Sequence, residues 1–179
     1  MINITTTSHR YRIIFQALFY ITVIGFILFW LTYQTPYDIF SPFGVATQLS
    51  NLAQSPLTPL TRFLAFFVSM IPCLIILYGL YQLIKLFKNY EKGDVFSIKN
   101  VLCYRKLCYT LFAWVIGGLI YDPLMSLVLT FNNPPGHRVI SISFGSSDIV
   151  ALIAGAIVLI IAHIMYQAHQ ISNENQLTI

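Results

Sequence analysis

The sequence predicts an all-α integral membrane protein: a four-transmembrane-helix bundle with N and C termini cytoplasmic and a short extracytoplasmic β-strand or hairpin element. Three observations carry this reading. Of 179 residues, 57% are apolar and 9% charged, whereas about a quarter of a soluble domain is charged. Four apolar runs reach the length of about twenty residues that a bilayer crossing needs, and they lack the polar stripes a soluble helical bundle would show. Finally, the basic residues are unevenly placed. Arg10 and Arg12 precede the first run and Lys85, Lys88, Lys92, Lys99, Arg105 and Lys106 lie between the second and third, which leaves Arg62 and Arg138 for the other side. Basic residues collect in cytoplasmic loops.

Residues 1–12 are polar and threonine-rich and are expected to be loosely ordered. Span 1 covers 13–33. Its core is too long for a signal peptide, and no small-x-small cleavage site follows, so the expectation is a retained span. The outer loop 34–61 contains Pro36, Pro42, Pro56 and Pro59. Its middle, FGVATQLSNLA, suits a short helix along the membrane surface, with Tyr37, Phe40 and Phe43 at headgroup level.

Span 2 covers 62–88 and runs on to Tyr90. A helix over 63–90 is about 42 Å long against a hydrocarbon core of about 30 Å, so its last turns project into the cytoplasm. Pro72 removes a backbone donor inside it and predicts a kink. A basic hairpin follows at 89–106. Gly93 suits a left-handed stop, Ser97 suits the cap of the next helix, and Val95 and Phe96 fall at the tip. Phe96 either tucks back between the helices or inserts into a partner.

Span 3 covers 107–131 and ends in NNPPG, where a helix cannot continue. In the outer loop 132–147, residues 139–144 alternate polar and apolar, Val139, Ser141 and Ser143 against Ile140, Ile142 and Phe144. That period predicts a strand, which needs a mate from the first outer loop or another subunit. Ser146 or Ser147 caps span 4, 148–168, with Asp148 in its first turn, where the helix dipole favours an anion. The tail 169–179 is cytoplasmic.

Small residues four apart, Ala113 with Gly117 and Ala151 with Gly155, predict close packing of spans 3 and 4, or else a seam between two copies of the chain. Asp122 is the one carboxylate inside an apolar run, and such a residue is a functional candidate by default. Arg62, at the same face, can form an intramembrane polar pair with it; Tyr or Thr neighbours are the alternative. No second acidic residue supports a proton relay.

No catalytic constellation can be assembled, and the chain reads as not an enzyme. Cys73, Cys103 and Cys108 form no CxxC, the four histidines do not cluster, and no HExxH or phosphate-binding loop occurs. No cofactor and no metal site is expected.

The motifs YEKGDVFSIKNV, LTFNNPPGHRVISISFGSSDI and ISNENQLTI resemble a family of bacterial four-span membrane proteins of unknown function that includes the YoaS-like proteins. The resemblance covers residues from about Leu77 to the C-terminus. It implies a bacterial inner-membrane location and, because such genes often neighbour one for a small helix-turn-helix protein, a membrane partner for a transcription regulator.

Together these lead to a regulatory or sensory membrane protein, with the bilayer as its first partner. The partner-docking residues are then Lys92, Asp94, Phe96, Lys99, Asn100, Leu177 and Ile179, a basic hairpin with an apolar anchor suiting an acidic patch. Direct nucleic-acid binding is not expected; a homo-oligomer is possible. The basic loop also has a simpler reading as a topology signal resting on anionic headgroups. Alternatives are a small transporter or immunity-type protein using Asp122, and an accessory subunit of a larger membrane complex.

Overall fold

The computed structural model describes residues 4–33, 35, 52 and 57–177, with side chains over 5–172 of these. Among them the chain is all-helical: α1 (Ile4–Thr32), α2 (Pro59–Glu91), α3 (Ile98–Thr130) and α4 (Ser146–Leu177). The helices hold 29, 33, 33 and 32 residues, so each is longer than about 40 Å at 1.5 Å per residue and exceeds the bilayer core. Only 6% to 22% of each helix's most apolar stretch is buried within the chain. Side chains such as Ile21, Leu60, Ile116 and Ile160 are at least half exposed. Apolar surface on this scale demands an apolar solvent.

The chain packs as two compact units, and the boundary between them falls within α1, α2 and α3. One unit takes Met1–Tyr20, Ile75–Val115 and Gly145–Ile179; the other takes Ile21–Leu74 and Ile116–Phe144. In the first, Tyr11 and Phe15 of α1 each lie 5.4 Å from the Phe87 ring of α2, and Leu86, Val101, Cys103 and Cys108 are buried. Small residues set two close approaches. A Cβ at Gly79 would stand 3.1 Å from Thr110 Cγ2, and one at Gly155 would stand 3.1 Å from Phe112 Cε1. The second unit has an aromatic core of Trp30, Tyr33, Ala65, Met125 and Leu129.

Several expectations change. The N-terminal stretch is helical from Ile4 rather than loose. Two of its polar side chains, His9 and Arg12, bond Glu91, and Ser8 is buried. The short surface helix expected within 34–61, with Tyr37, Phe40 and Phe43, lies outside the described residues. Pro72 and Pro123 both sit inside continuous helices.

The strand expected at 139–144 does not form: the segment is extended but pairs with no strand among the described residues. Its mate is a helix. The backbone N–H groups of Val139, Ser141 and Ser143 donate to Thr130 Oγ1 (3.3 Å), Ser126 Oγ (3.0 Å) and Asp122 Oδ2 (3.3 Å). Four residues of helix advance about 6.0 Å and two residues of extended chain about 6.6 Å, so the two repeats stay in step over three rungs. The segment runs antiparallel to α3, after a turn in which Gly136 has φ 93° and the buried Asn133 amide donates to the carbonyls of Leu52 and His137.

The start of α4 is capped differently from the expectation. Gly145 is the capping residue, its carbonyl accepting from Asp148 N and Ile149 N. Asp148 Oδ2 accepts in return from Gly145 N at 2.8 Å. This is one half of a capping box, the carboxylate returning to the capping N–H while the glycine has no side chain to supply the other half, and it sets a carboxylate at the positive end of the helix dipole.

Candidate functional site

The connection between α2 and α3 is a tight turn built around one side chain. Gly93 adopts φ 80°, a left-handed conformation that costs glycine little, and ends α2. Asn100, fully buried in the first turn of α3, donates through Nδ2 to the carbonyls of Asp94 and Val95. Its Oδ1 accepts from Asn89 Nδ2 at 2.8 Å. The turn is therefore tied to α3, while the carbonyls that the end of α2 leaves free are met by the turn's own backbone, Asn89 O by Lys92 N and Asp94 N and Tyr90 O by Gly93 N. Tyr90 and Tyr104 add a hydroxyl–hydroxyl bond of 2.7 Å across the pair. Ser97 stands at the capping position, its carbonyl accepting from Asn100 N and Val101 N. Its hydroxyl has no partner, so the expected side-chain cap is absent and Asn100 braces the turn instead.

Phe96 lies at the tip with 52% of its surface exposed, so it does not tuck back between the helices. His169 of α4 donates through Nδ1 to the Phe96 carbonyl at 2.7 Å. The tip and the end of α4 are thereby brought together, and the tip is held from two sides.

The docking residues read from the sequence divide accordingly. Lys92, Asp94, Phe96 and Lys99 are exposed. Asn100 is not: its burial removes it from any contact face and makes it the brace of that face. Leu177 is the last residue of α4, its side chain outside the described residues, and Ile179 lies outside them altogether.

Lys92 and Lys99 also line a groove of about 560 Å³ between α2 and α3, together with Lys85, Lys88 and Lys106. Its floor includes Gln82, 1% exposed, whose Oε1 has no hydrogen-bond partner. Glu91, the last residue of α2, bonds His9 Nδ1 and Arg12 Nε, each at 2.9 Å. The Arg12 hydrogen bond, supported by His9, holds the Glu91 carboxyl below its ordinary range.

Asp122 and Arg62 are not brought together. Arg62 donates through Nη2 to the Tyr33 carbonyl at 2.9 Å, while its buried Nε has no partner. Asp122 Oδ2 accepts from both the backbone N–H and the hydroxyl of Ser143. The carboxylate anchors the extended segment through a serine, not through Arg62 or the Tyr or Thr neighbours expected.

Of the packing residues, Gly155 is buried against Leu111 and Phe112, Gly117 is buried, and Ala113 and Ala151 are half-buried. The three cysteines are free thiols, and among the described residues no three His, Cys, Asp or Glu side chains group as metal ligands.

Sequence reasoning missed the Asp122–Ser126–Thr130 stripe, although its four-residue spacing was visible. It also missed Gly79, Gln82 and the Glu91 pairs; nothing local marks a contact between residues 79 apart.

Four long apolar helices with lipid-demanding surfaces define a multi-pass α-helical membrane protein. The chain belongs to the family described as Protein of unknown function (DUF2975), which matches residues 17–179. No curated protein and no solved structure matches it.

Proposed function

We propose that this chain is a non-enzymatic regulatory protein of the bacterial inner membrane that docks a cytoplasmic partner through its hairpin tip and the end of α4. In this reading both termini and the hairpin are cytoplasmic, as the basic residues suggest, and no signal peptide is cleaved. The partner that fits is a small helix-turn-helix regulator with an acidic patch, the kind of neighbour implied by the resemblance to YoaS-like proteins.

The observation that carries the reading is the exposure of Phe96 on a braced turn. An aromatic side chain held out on a rigid loop is the usual form of an interface anchor. Bracing by Asn100 and His169 means little order has to be gained on binding. The lysines around it add charge complementarity and faster encounter. Asp122, bonded to Ser143, is given a structural role here, not one in transport.

The test is recovery of partners from native membranes in mild detergent. A DNA-binding regulator should copurify with the unaltered chain and be lost with Phe96→Ser or on deletion of 172–179, while membrane insertion is unchanged. Recovery of the same regulator with both variants refutes docking at this end.

A further inference from the structure

We infer that the lysine-lined groove between the end of α2 and the start of α3 is a binding site for the head group of an anionic phospholipid. The charge is the first argument. Lys85, Lys88, Lys92, Lys99 and Lys106 line one groove and make up half of the chain's ten basic residues. No carboxylate lines it, and among the described residues the ion pairs engage Glu91 with His9 and Arg12, not with any of these lysines. Their spacing explains the convergence. Lys85 and Lys88 share one face of α2 at i and i+3, with Lys92 in the turn that follows it, and Lys99 and Lys106 share one face of α3 at i and i+7.

The second argument is the floor. Gln82 is 1% exposed and its Oε1 has no partner, an unfavourable state for a buried acceptor. Gln82 lies beside Tyr81 at the membrane end of the groove, so the groove is polar from its deepest point, and the lysines beyond it meet the phosphate of an anionic lipid.

The third argument is position. The groove also takes in Tyr81, Ile84 and Leu102, and Tyr81 and Leu102 are 53% and 48% exposed. From Tyr81 to Glu91 the helix climbs about 15 Å, from an apolar lip toward the basic hairpin. Acyl chains would lie against the lip and the phosphate among the lysines, as in basic pockets between membrane helices. Its volume of about 560 Å³ is in the usual range of ligand sites. Lys92 and Lys99 belong to both readings, but Phe96 does not line the groove, so lipid retention tests the groove separately from the tip.

The experiment uses the full chain in mild detergent, offered equal amounts of phosphatidylglycerol and phosphatidylcholine, with retained lipid counted by native mass spectrometry. Retention of phosphatidylglycerol should exceed that of phosphatidylcholine by about tenfold or more. It should fall to the phosphatidylcholine level in the triple variant Lys85→Gln, Lys88→Gln, Lys99→Gln. Because lysines also direct insertion, Leu102→Trp is the companion variant: it fills the groove, keeps every charge and should lose the preference equally. Arg138→Gln, outside the groove, should keep it. Equal retention of the two lipids overturns the proposal, as does a preference that survives Leu102→Trp. Displacement of the lipid by millimolar inorganic phosphate would overturn the lipid assignment and make a soluble phosphate the ligand.

Discussion

Two connections in this chain solve the same problem in different ways. Between α2 and α3, one buried amide gathers the turn: Asn100 holds the carbonyls of Asp94 and Val95 and the amide of Asn89. Between α3 and α4, a stripe of three helix side chains, Asp122, Ser126 and Thr130, holds an extended segment by alternate backbone N–H groups. Their outward faces differ more. The 139–144 segment shows Ile140, Ile142 and Phe144, 66%, 69% and 56% exposed, while its polar groups turn to α3. The hairpin shows lysines without acidic partners and one exposed Phe. A connection whose polar groups are consumed internally reads as structure; one with charge left over has capacity to bind.

The largest test of this contrast is Asn100→Ala. It strips two carbonyls and one amide of their partner in the buried heart of the hairpin. The expected loss is about 2 kcal/mol or more of stability, the cost of leaving buried polar groups unpaired, read from detergent unfolding curves. The tip would loosen, so partner recovery should weaken even though Asn100 touches no partner. Unfolding identical to that of the unaltered chain would mean that Gly93 and the tyrosine pair suffice, and the comparison would lose one side.

Asp122→Ala probes the other side and should cost less, about 1 kcal/mol, because Ser126 and Thr130 keep their rungs. Hydrogen exchange at the Ser143 amide should accelerate, while the Val139 amide stays protected. Asp122→Asn keeps an acceptor oxygen and should restore most of the protection. If Asn proved as damaging as Ala, charge rather than hydrogen bonding would be what the site requires, and a transport role would regain ground.

The four spans were legible because hydrophobicity is a local property: twenty apolar residues identify a span without reference to the rest of the chain. The turn at Gly93 was legible for the same reason, since left-handed backbone favours one residue type. The 139–144 segment was half legible. Period two reports an extended backbone but not what it pairs with, and here the mate is a helix face whose Asp122 looked like an isolated anomaly. Asn100 stood in the right place with the wrong role, because burial at the hairpin depends on how α2 and α3 meet. Gln82 carried no signal at all. An amide in an amphipathic stretch looks ordinary until its neighbours close over it.

The smallest effect concerns Glu91, the carboxylate of the hairpin end that is satisfied where the lysines are not. Its position beyond the 62–88 span leaves it open to titration. Arg12 and His9 lower its pKa from the ordinary 4.5, so the folded state favours the ionised form. The contribution is therefore fully present above about pH 4.5 and is lost as the pH falls through the lower, folded value. Glu91→Gln removes the ionisation altogether. The variant should unfold at a slightly lower temperature than the unaltered chain at neutral pH, since ion pairs at the surface, even half-buried ones, stabilise little. The difference should shrink on acidification until the two curves meet, because protonated Glu91 is then nearly equivalent to Gln. A constant gap across pH would show that the Glu91 bonds to Arg12 and His9 do not need its charge. The anchoring of α1 to α2 would then rest on the packing of Tyr11 and Phe15 against Phe87.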